Sequence, residues 1–224
     1  MSCTLKISDL GSISYEEALL LQRTTLQKVV EGRNAHRTSP FHLLLLEHDP
    51  PVITLSKRPA SEKHLIASSE QLKAAGVEVC KTDRGGDITF HGPGQLVGYP
   101  ICDLNKLSLR IHGYMRFLES CVIEVLSEFD IVGEPDECAT GVWVNGSKIC
   151  AMGVRVSKWV SMHGFALNVT TNLEHFDLIV PCGLAGRSVT SMQKILGDQC
   201  PSMNEVKQVV SEIFIKSISE QSKL

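Results

Sequence analysis

Downstream of Ser14, apolar residues at Ala18, Leu19, Leu26, Val29 and Val30 recur at helical spacing until Gly32. Ser14 and Glu17 stand three apart, the capping-box spacing in which each side chain satisfies a free backbone N–H, so a helix is expected to start there and stop at Gly32. The pattern then changes. "FHLLLLEHDPPVITLS" reads as two short apolar strands on either side of Asp49-Pro50-Pro51. Residues 69–75 suit a short helix, and Val77 to Lys81 a strand leading into a glycine-rich loop. "QLVGYPIC" is strand-like, and from Ile111 to Phe129 the positions Met115, Leu118, Val122, Val125 and Leu126 mark a second amphipathic helix. "GVWVNGSKICAMGVRV" predicts two strands joined at Asn145-Gly146, a pair suited to the positive φ angles of a tight hairpin. "WVSMHGFALNV" adds a third antiparallel strand after Ser157-Lys158. The tail holds a loop, "VPCGLAGRS", a short helix, and a last helix from about Met203 to Ser219, opened by Pro201-Ser202. Helices and strands are mixed without regular β-α-β alternation, and no linker or repeat divides the chain. The expectation is an α+β fold, a single domain spanning residues 1–224, rather than a doubly wound sheet.

Composition narrows this little further. The chain has 224 residues, 43% hydrophobic and 21% charged, which is ordinary for a globular protein. A formal net charge of −3 without a Lys/Arg run argues against a nucleic-acid partner. No apolar stretch approaches the roughly 20 residues that cross a bilayer, and no charged start precedes an apolar segment at the N-terminus. Among eight cysteines there is no Cys-x-x-Cys pair, and Cys102, Cys121 and Cys150 lie in apolar runs where a thiol packs as a small hydrophobe. A reduced, cytoplasmic protein with no membrane association follows as the expectation.

Candidate chemistry gathers in a few places. "RGGDITFHGPGQLVGYP" (84–100) holds five glycines and two prolines with Arg84 and His91 among them. It fits neither the phosphate loop Gly-x4-Gly-Lys-Ser/Thr nor the dinucleotide pattern Gly-x-Gly-x-x-Gly. It can be two plain turns with surface Arg84 and His91. Yet Gly85-Gly86 and Gly92-Pro93-Gly94 bracket one short strand, a wall where missing side chains leave room for methylenes. Cys182 stands apart from the other cysteines, on a bend between Pro181 and Gly183. Lys148 is either a solvated charge at a hairpin end or a cation turned inward, and His163 sits in an apolar strand where a hydrogen-bonded structural histidine is common. An amine beside a thiol favours thiolate: lowering a cysteine pKa from about 8.5 to about 7 raises the thiolate at pH 7 from about 3% to one half. Spacing does not say whether these residues meet.

Taken together, "RGGDITFHGPGQLVGYP", "GVWV…KICAMGV", "HGFALNV" and "PCGLAG" resemble the lipoate-biosynthetic octanoyltransferases, the lipoyl(octanoyl) transferase family, in the family's order and over most of the chain. The resemblance implies a mixed, largely antiparallel sheet flanked by helices, as in lipoate and biotin protein ligases. It implies transfer of an octanoyl group from octanoyl-acyl carrier protein to one lysine of a lipoyl domain, in 2-oxoacid dehydrogenase subunits and the glycine cleavage H protein. No ATP, metal or other cofactor is implied. By position, Cys182 matches the acyl-accepting nucleophile and Lys148 the lysine paired with it. The acyl-binding segments would be Arg84, Gly85, Gly86, Asp87, Ile88, Thr89, Phe90 and His91, then Ala151, Met152 and Gly153, then Gly164, Phe165 and Ala166, with His163 positioning groups. Asp87 carries no individual role. One stretch departs: many relatives read Thr-Leu-Gly and a basic residue where this chain has "TLSKRPAS". Lys57-Arg58, Arg155 with Lys158, and Arg187 are the local charges expected to meet acidic partners. Two other readings stay open, an ATP-dependent lipoate or biotin ligase and an acyl-binding module without turnover.

Overall fold

The structure, a computed structural model, describes residues 4–35, 39–58, 61–137, 139–180 and 187–223. Its elements run β1 (Leu5–Ile13), α1 (Tyr15–Asn34), β2 (Phe41–His48), β3 (Val52–Leu55), α2 (Ser69–Ala75), β4 (Glu78–Lys81), β5 (Ile88–His91) and β6 (Gln95–Ile101). They continue with α3 (Ile111–Ser127), β7 (Glu134–Pro135), β8 (Gly141–Val144), β9 (Ser147–Ser157), β10 (Val160–Asn168), α4 (Met192–Leu196) and α5 (Met203–Gln221). Short 3₁₀ turns occupy Ser61–His64 and Leu173–Leu178.

A seven-stranded sheet has the order β1-β2-β6-β10-β9-β8-β7, and a three-stranded sheet the order β4-β3-β5. In the large sheet β1 and β2 are parallel, joined through α1, and the other neighbours are antiparallel. The architecture is α+β, as expected. Every residue of β6 and β10 is buried, because helices cover both faces of these central strands and no polar alternation is needed. On one face α3 and α5 bury Leu118, Val122, Val210 and Phe214. On the other, α1 buries Ala18, Val29 and Val30. The small sheet keeps its own core around Ile53, Phe90, Phe176 and Ile179. No helix among the described residues is long and apolar enough to cross a membrane.

At three points the structure departs from or adds to the sequence reading: one helix end is corrected and two features were not read. First, α1 starts where its cap predicts, with Ser14 Oγ accepting from the Glu17 N–H at 3.3 Å, but it continues past Gly32 to Asn34. A side chain at Gly32 would run into Ser39, its Cβ lying 1.7 Å from the hydroxyl, so glycine there serves close packing and not helix termination. Second, β2 and β3 lie in different sheets. β2 is already paired on both edges by β1 and β6, so Asp49-Pro50-Pro51 hands the chain from the large sheet to the small one. Third, β1 lacks a sequence signature because its residues are half-buried or exposed along an edge, without a continuous apolar run. The β8–β9 hairpin turns at Asn145 (φ 49°) and Gly146 (φ 74°) as anticipated.

Candidate active site

The two sheets approach each other through glycine. The Gly85 N–H donates to the Val154 carbonyl at 2.9 Å, and a Cβ on Gly153 would lie 2.7 Å from the Gly85 carbonyl oxygen. A Cβ on Gly164 would lie 2.3 Å from the Gly98 oxygen. These glycines are thus spaces filled by other backbone, not by methylenes as the loop alone suggested. Beside this junction lies a cavity of about 480 Å³, a volume usual for small-ligand sites. Ile88, Met152, Phe165 and Ala166 give it apolar wall, joined by Met115, Phe176 and Val189, which the sequence did not assign to a site.

Around that cavity the structure gathers Arg84 to Thr89, His91, Lys148, Ala151 to Gly153, and His163 to Ala166. Phe90 is the exception. Alternation along β5 turns Thr89 and His91 to the cavity and sends Phe90 into the small-sheet core, its ring 5.5 Å from Phe176 and 4.7 Å from His175. Asp87 lines the cavity and is buried; its carboxylate accepts from His64 Nδ1 at 2.5 Å.

Lys148 is half-buried and lines the cavity. Its Nζ donates to the Thr140 carbonyl at 3.1 Å and lies 4.8 Å from the centre of the Trp143 ring, contacts that suit an ammonium. Its backbone holds the chain that follows residue 186: Lys148 N–H donates to Ser188 O, and Thr190 N–H to Lys148 O, both at 2.9 Å. Before residue 181, Val180 N–H donates to His64 O at 2.7 Å. Cys182 itself, with residues 181–186, lies outside the described residues. Cys121 and Cys150 are buried, and burial pushes both thiols up to about 12, so they are packing groups.

The polar end of the cavity is tightly wired. Arg84 donates to the Thr54 carbonyl (2.9 Å), the Thr54 hydroxyl (2.8 Å) and the Gly85 carbonyl (3.0 Å). His163 has a left-handed backbone (φ 58°), and its N–H is taken by Gln22 Oε1 at 2.7 Å. Its Nε2 meets Asp83 at 3.0 Å, and Asp83 also pairs with Arg155. Burial holds the His163 pKa below the usual histidine value despite that carboxylate. Burial alone would raise Asp83, but the hydrogen bond from His163 and the charge of Arg155 hold it below its ordinary value. Tyr99 also lines the cavity and donates to His48 Nε2 at 2.7 Å, as the Ile13 carbonyl takes the hydrogen of His48 Nδ1. Tyr99, Asn168, Gln95 and Asp83 were missed from sequence; a polar residue inside an otherwise apolar strand was the available signal at Gln95, Tyr99 and Asn168.

Two of the anticipated surface charges are engaged. Arg155 pairs with Asp83, while Arg187 pairs with Asp136 at 2.7 Å and lies 3.5 Å over the Trp143 ring. Lys57, Arg58 and Lys158 are exposed and form no ion pair among the described residues.

The sequence profile of the lipoyl protein ligase A/B catalytic domain matches residues 14–215, so the chain belongs to that family. Within it the chain belongs with the octanoyltransferases, and it is an acyltransferase. It is 42% identical to the octanoyltransferase of Flavobacterium psychrophilum over 225 residues, covering 96% of each chain. It is 47% identical to that of Rubrobacter xylanophilus over 203 residues, covering 90% of this chain and 88% of the relative. Lipoate-protein ligase A bound with ATP shares the fold with a TM-score of 0.70 at 15% identity, covering 100% of this chain and 92% of the other. A bipartite lipoate protein ligase of Thermoplasma acidophilum, from a structural analysis of that ligase and its E2 lipoyl domain, gives 0.69 at 14% identity, covering 100% and 89%.

Proposed function

We propose that this protein transfers an octanoyl group from octanoyl-acyl carrier protein to a lysine of lipoyl domains, through a thioester on Cys182, with residues 1–224 acting as one catalytic domain. The observation that carries the reading is the convergence of Lys148 and all three glycine-bearing segments on one apolar-walled cavity, in a chain of the octanoyltransferase family. The reaction begins from Cys182 thiolate and Lys148 ammonium. The thiolate attacks the carrier thioester; a new C–S bond forms, the old one breaks, and the departing carrier sulfur takes a proton from Lys148. The acceptor amine then attacks the octanoyl carbonyl. A C–N bond forms, the C–S bond to Cys182 breaks, the amine proton passes to Lys148, and the starting pair is restored. The acceptor must arrive neutral, against a lysine pKa of about 10.4, which favours a site that strips water from it. Exchange of one thioester for another is nearly balanced and amide formation runs downhill, so no nucleotide enters.

The test is a transfer assay with octanoyl-carrier protein and a lipoyl domain, without ATP, with mass spectrometry of the enzyme. An octanoyl mass on Cys182 and loss of transfer in Cys182→Ala are expected; a Cys182→Ala protein working at wild-type rate would overturn the mechanism. A strict requirement for ATP with free octanoate would favour the ligase reading instead, which the shared fold leaves chemically distinct. Lys148→Ala should stay folded and lose activity by about a hundredfold or more.

A further inference from the structure

Hydrogen bonds around His91 determine which of its nitrogens carries the hydrogen. Gln95 Nε2 donates to the Phe90 carbonyl at 3.2 Å and to Asn168 Oδ1 at 2.9 Å, while Asn168 Nδ2 donates to the Thr190 carbonyl at 3.0 Å. Both backbone carbonyls can only accept, so each amide is oriented from its far end. Gln95 Oε1 is therefore the atom that meets His91 Nδ1 at 2.8 Å. An amide oxygen only accepts, so Nδ1 bears the hydrogen. Burial, with the neighbouring Arg84 charge acting in the same sense, holds the imidazole pKa well below its ordinary value, and the ring is neutral. A neutral Nδ1–H imidazole has a bare lone pair on Nε2.

The other two buried histidines have committed that nitrogen. His48 Nε2 accepts from Tyr99, and His163 Nε2 is engaged by Asp83. His91 Nε2 has no hydrogen-bond partner among the described residues, and His91 lines the cavity. A nucleophilic amine entering such a cavity gives up hydrogen bonds to water, at a cost unless the protein replaces them. We propose that His91 Nε2 accepts an N–H of the attacking lysine amine, aiming its lone pair at the octanoyl carbonyl. Gln95 and Asn168 are positioning residues that set the tautomer. The same wiring continues through Thr190, whose N–H donates to the Lys148 carbonyl at 2.9 Å, so acceptor nitrogen and lysine share one rigid scaffold. The proposal rests on the acyl-transfer reading and adds to it a group that acts in the second half-reaction.

The experiment separates the two half-reactions in single turnover, with octanoyl-carrier protein as donor and a lipoyl domain as acceptor. His91→Asn keeps an amide donor for Gln95 Oε1 and removes the Nε2 end. It should slow transfer from the acyl-enzyme to the lipoyl domain by at least about tenfold more than it slows formation of the acyl-enzyme. Equal slowing of both steps would mark a structural role and overturn the proposal, as would undiminished transfer. In wild-type protein with 15N-labelled histidine, NMR should show His91 protonated at Nδ1 and bare at Nε2; the opposite tautomer would also overturn it, whatever the variant does. A wild-type enzyme that forms no octanoyl adduct would instead sink the transfer reading and His91's part with it.

Discussion

His48 shows how a residue that does no chemistry still ties this site to pH. It is buried, hydrogen-bonded to Ile13 and Tyr99, and burial lowers its pKa to about 4. In the unfolded chain a histidine titrates near 6.5. As pH falls through 6.5, the unfolded state takes up a proton that the native state refuses, so stability drops until pH about 4, where both forms bind it. The gap is worth about 3 kcal/mol for this group. His91 and His163, also lowered by burial, act in the same direction. Urea midpoints should therefore be clearly lower at pH 5 than at pH 7; equal midpoints would mean that these buried histidines take up protons in the native state as readily as in the unfolded chain. At this scale the sequence is a partial guide. Arg84, His91 and Lys148 announce themselves as polar groups among glycines or apolar neighbours. Their hydrogen-bond partners Thr54 and Thr140 do not, because a partner's role depends on distances that the order of residues does not contain.

Among the elements, the two hairpin tips on β9 make opposite cases. Asn145-Gly146 has the residues a left-handed turn prefers, and both its position and its geometry could be read in advance. The β9–β10 tip is built from Lys158 (φ 52°) and Trp159 (φ 63°), two residues that pay steric strain in that region. Its antiparallel pairing and its place after Ser157-Lys158 were legible from the run of apolar residues in β10, but the left-handed geometry was not, since neither residue signals it. Lys158→Gly should relieve part of that strain and raise stability by up to about 1 kcal/mol, the gain being limited by glycine's freedom in the unfolded chain. Chemical denaturation reads this directly, and an equal or lower stability would mean that the tip holds Lys158 without strain. β1 marks the other limit: an edge strand with half-exposed residues leaves no period to find.

For the molecule as a whole, the decisive feature is the contact between the sheets, because the cavity exists only where they meet. The sequence displays glycines at 85, 153 and 164 in three separate segments, and nothing in their spacing says that Gly85 and Gly153 touch. That contact is a product of topology: β9 and β10 belong to the large sheet, the 84–87 loop feeds the small one, and only the folded chain brings them together. Gly153→Ala tests the point. Its Cβ would stand 2.7 Å from the Gly85 oxygen, a backbone atom that cannot swing aside as a side chain does, so the loop bearing Arg84 must shift. Overpacking of this kind costs about 1–3 kcal/mol. Gly146→Ala is the control, because it has no atom within 4 Å of its added Cβ and suffers only from its φ of 74°. Both variants should lose stability. Octanoyl transfer, measured where both remain folded, should fall at least about tenfold in Gly153→Ala and stay near wild type in Gly146→Ala, since misplacing reactive groups by an ångström costs far more rate than loosening a remote turn. Wild-type turnover in folded Gly153→Ala would mean that the sheet junction does not set the geometry of the cavity.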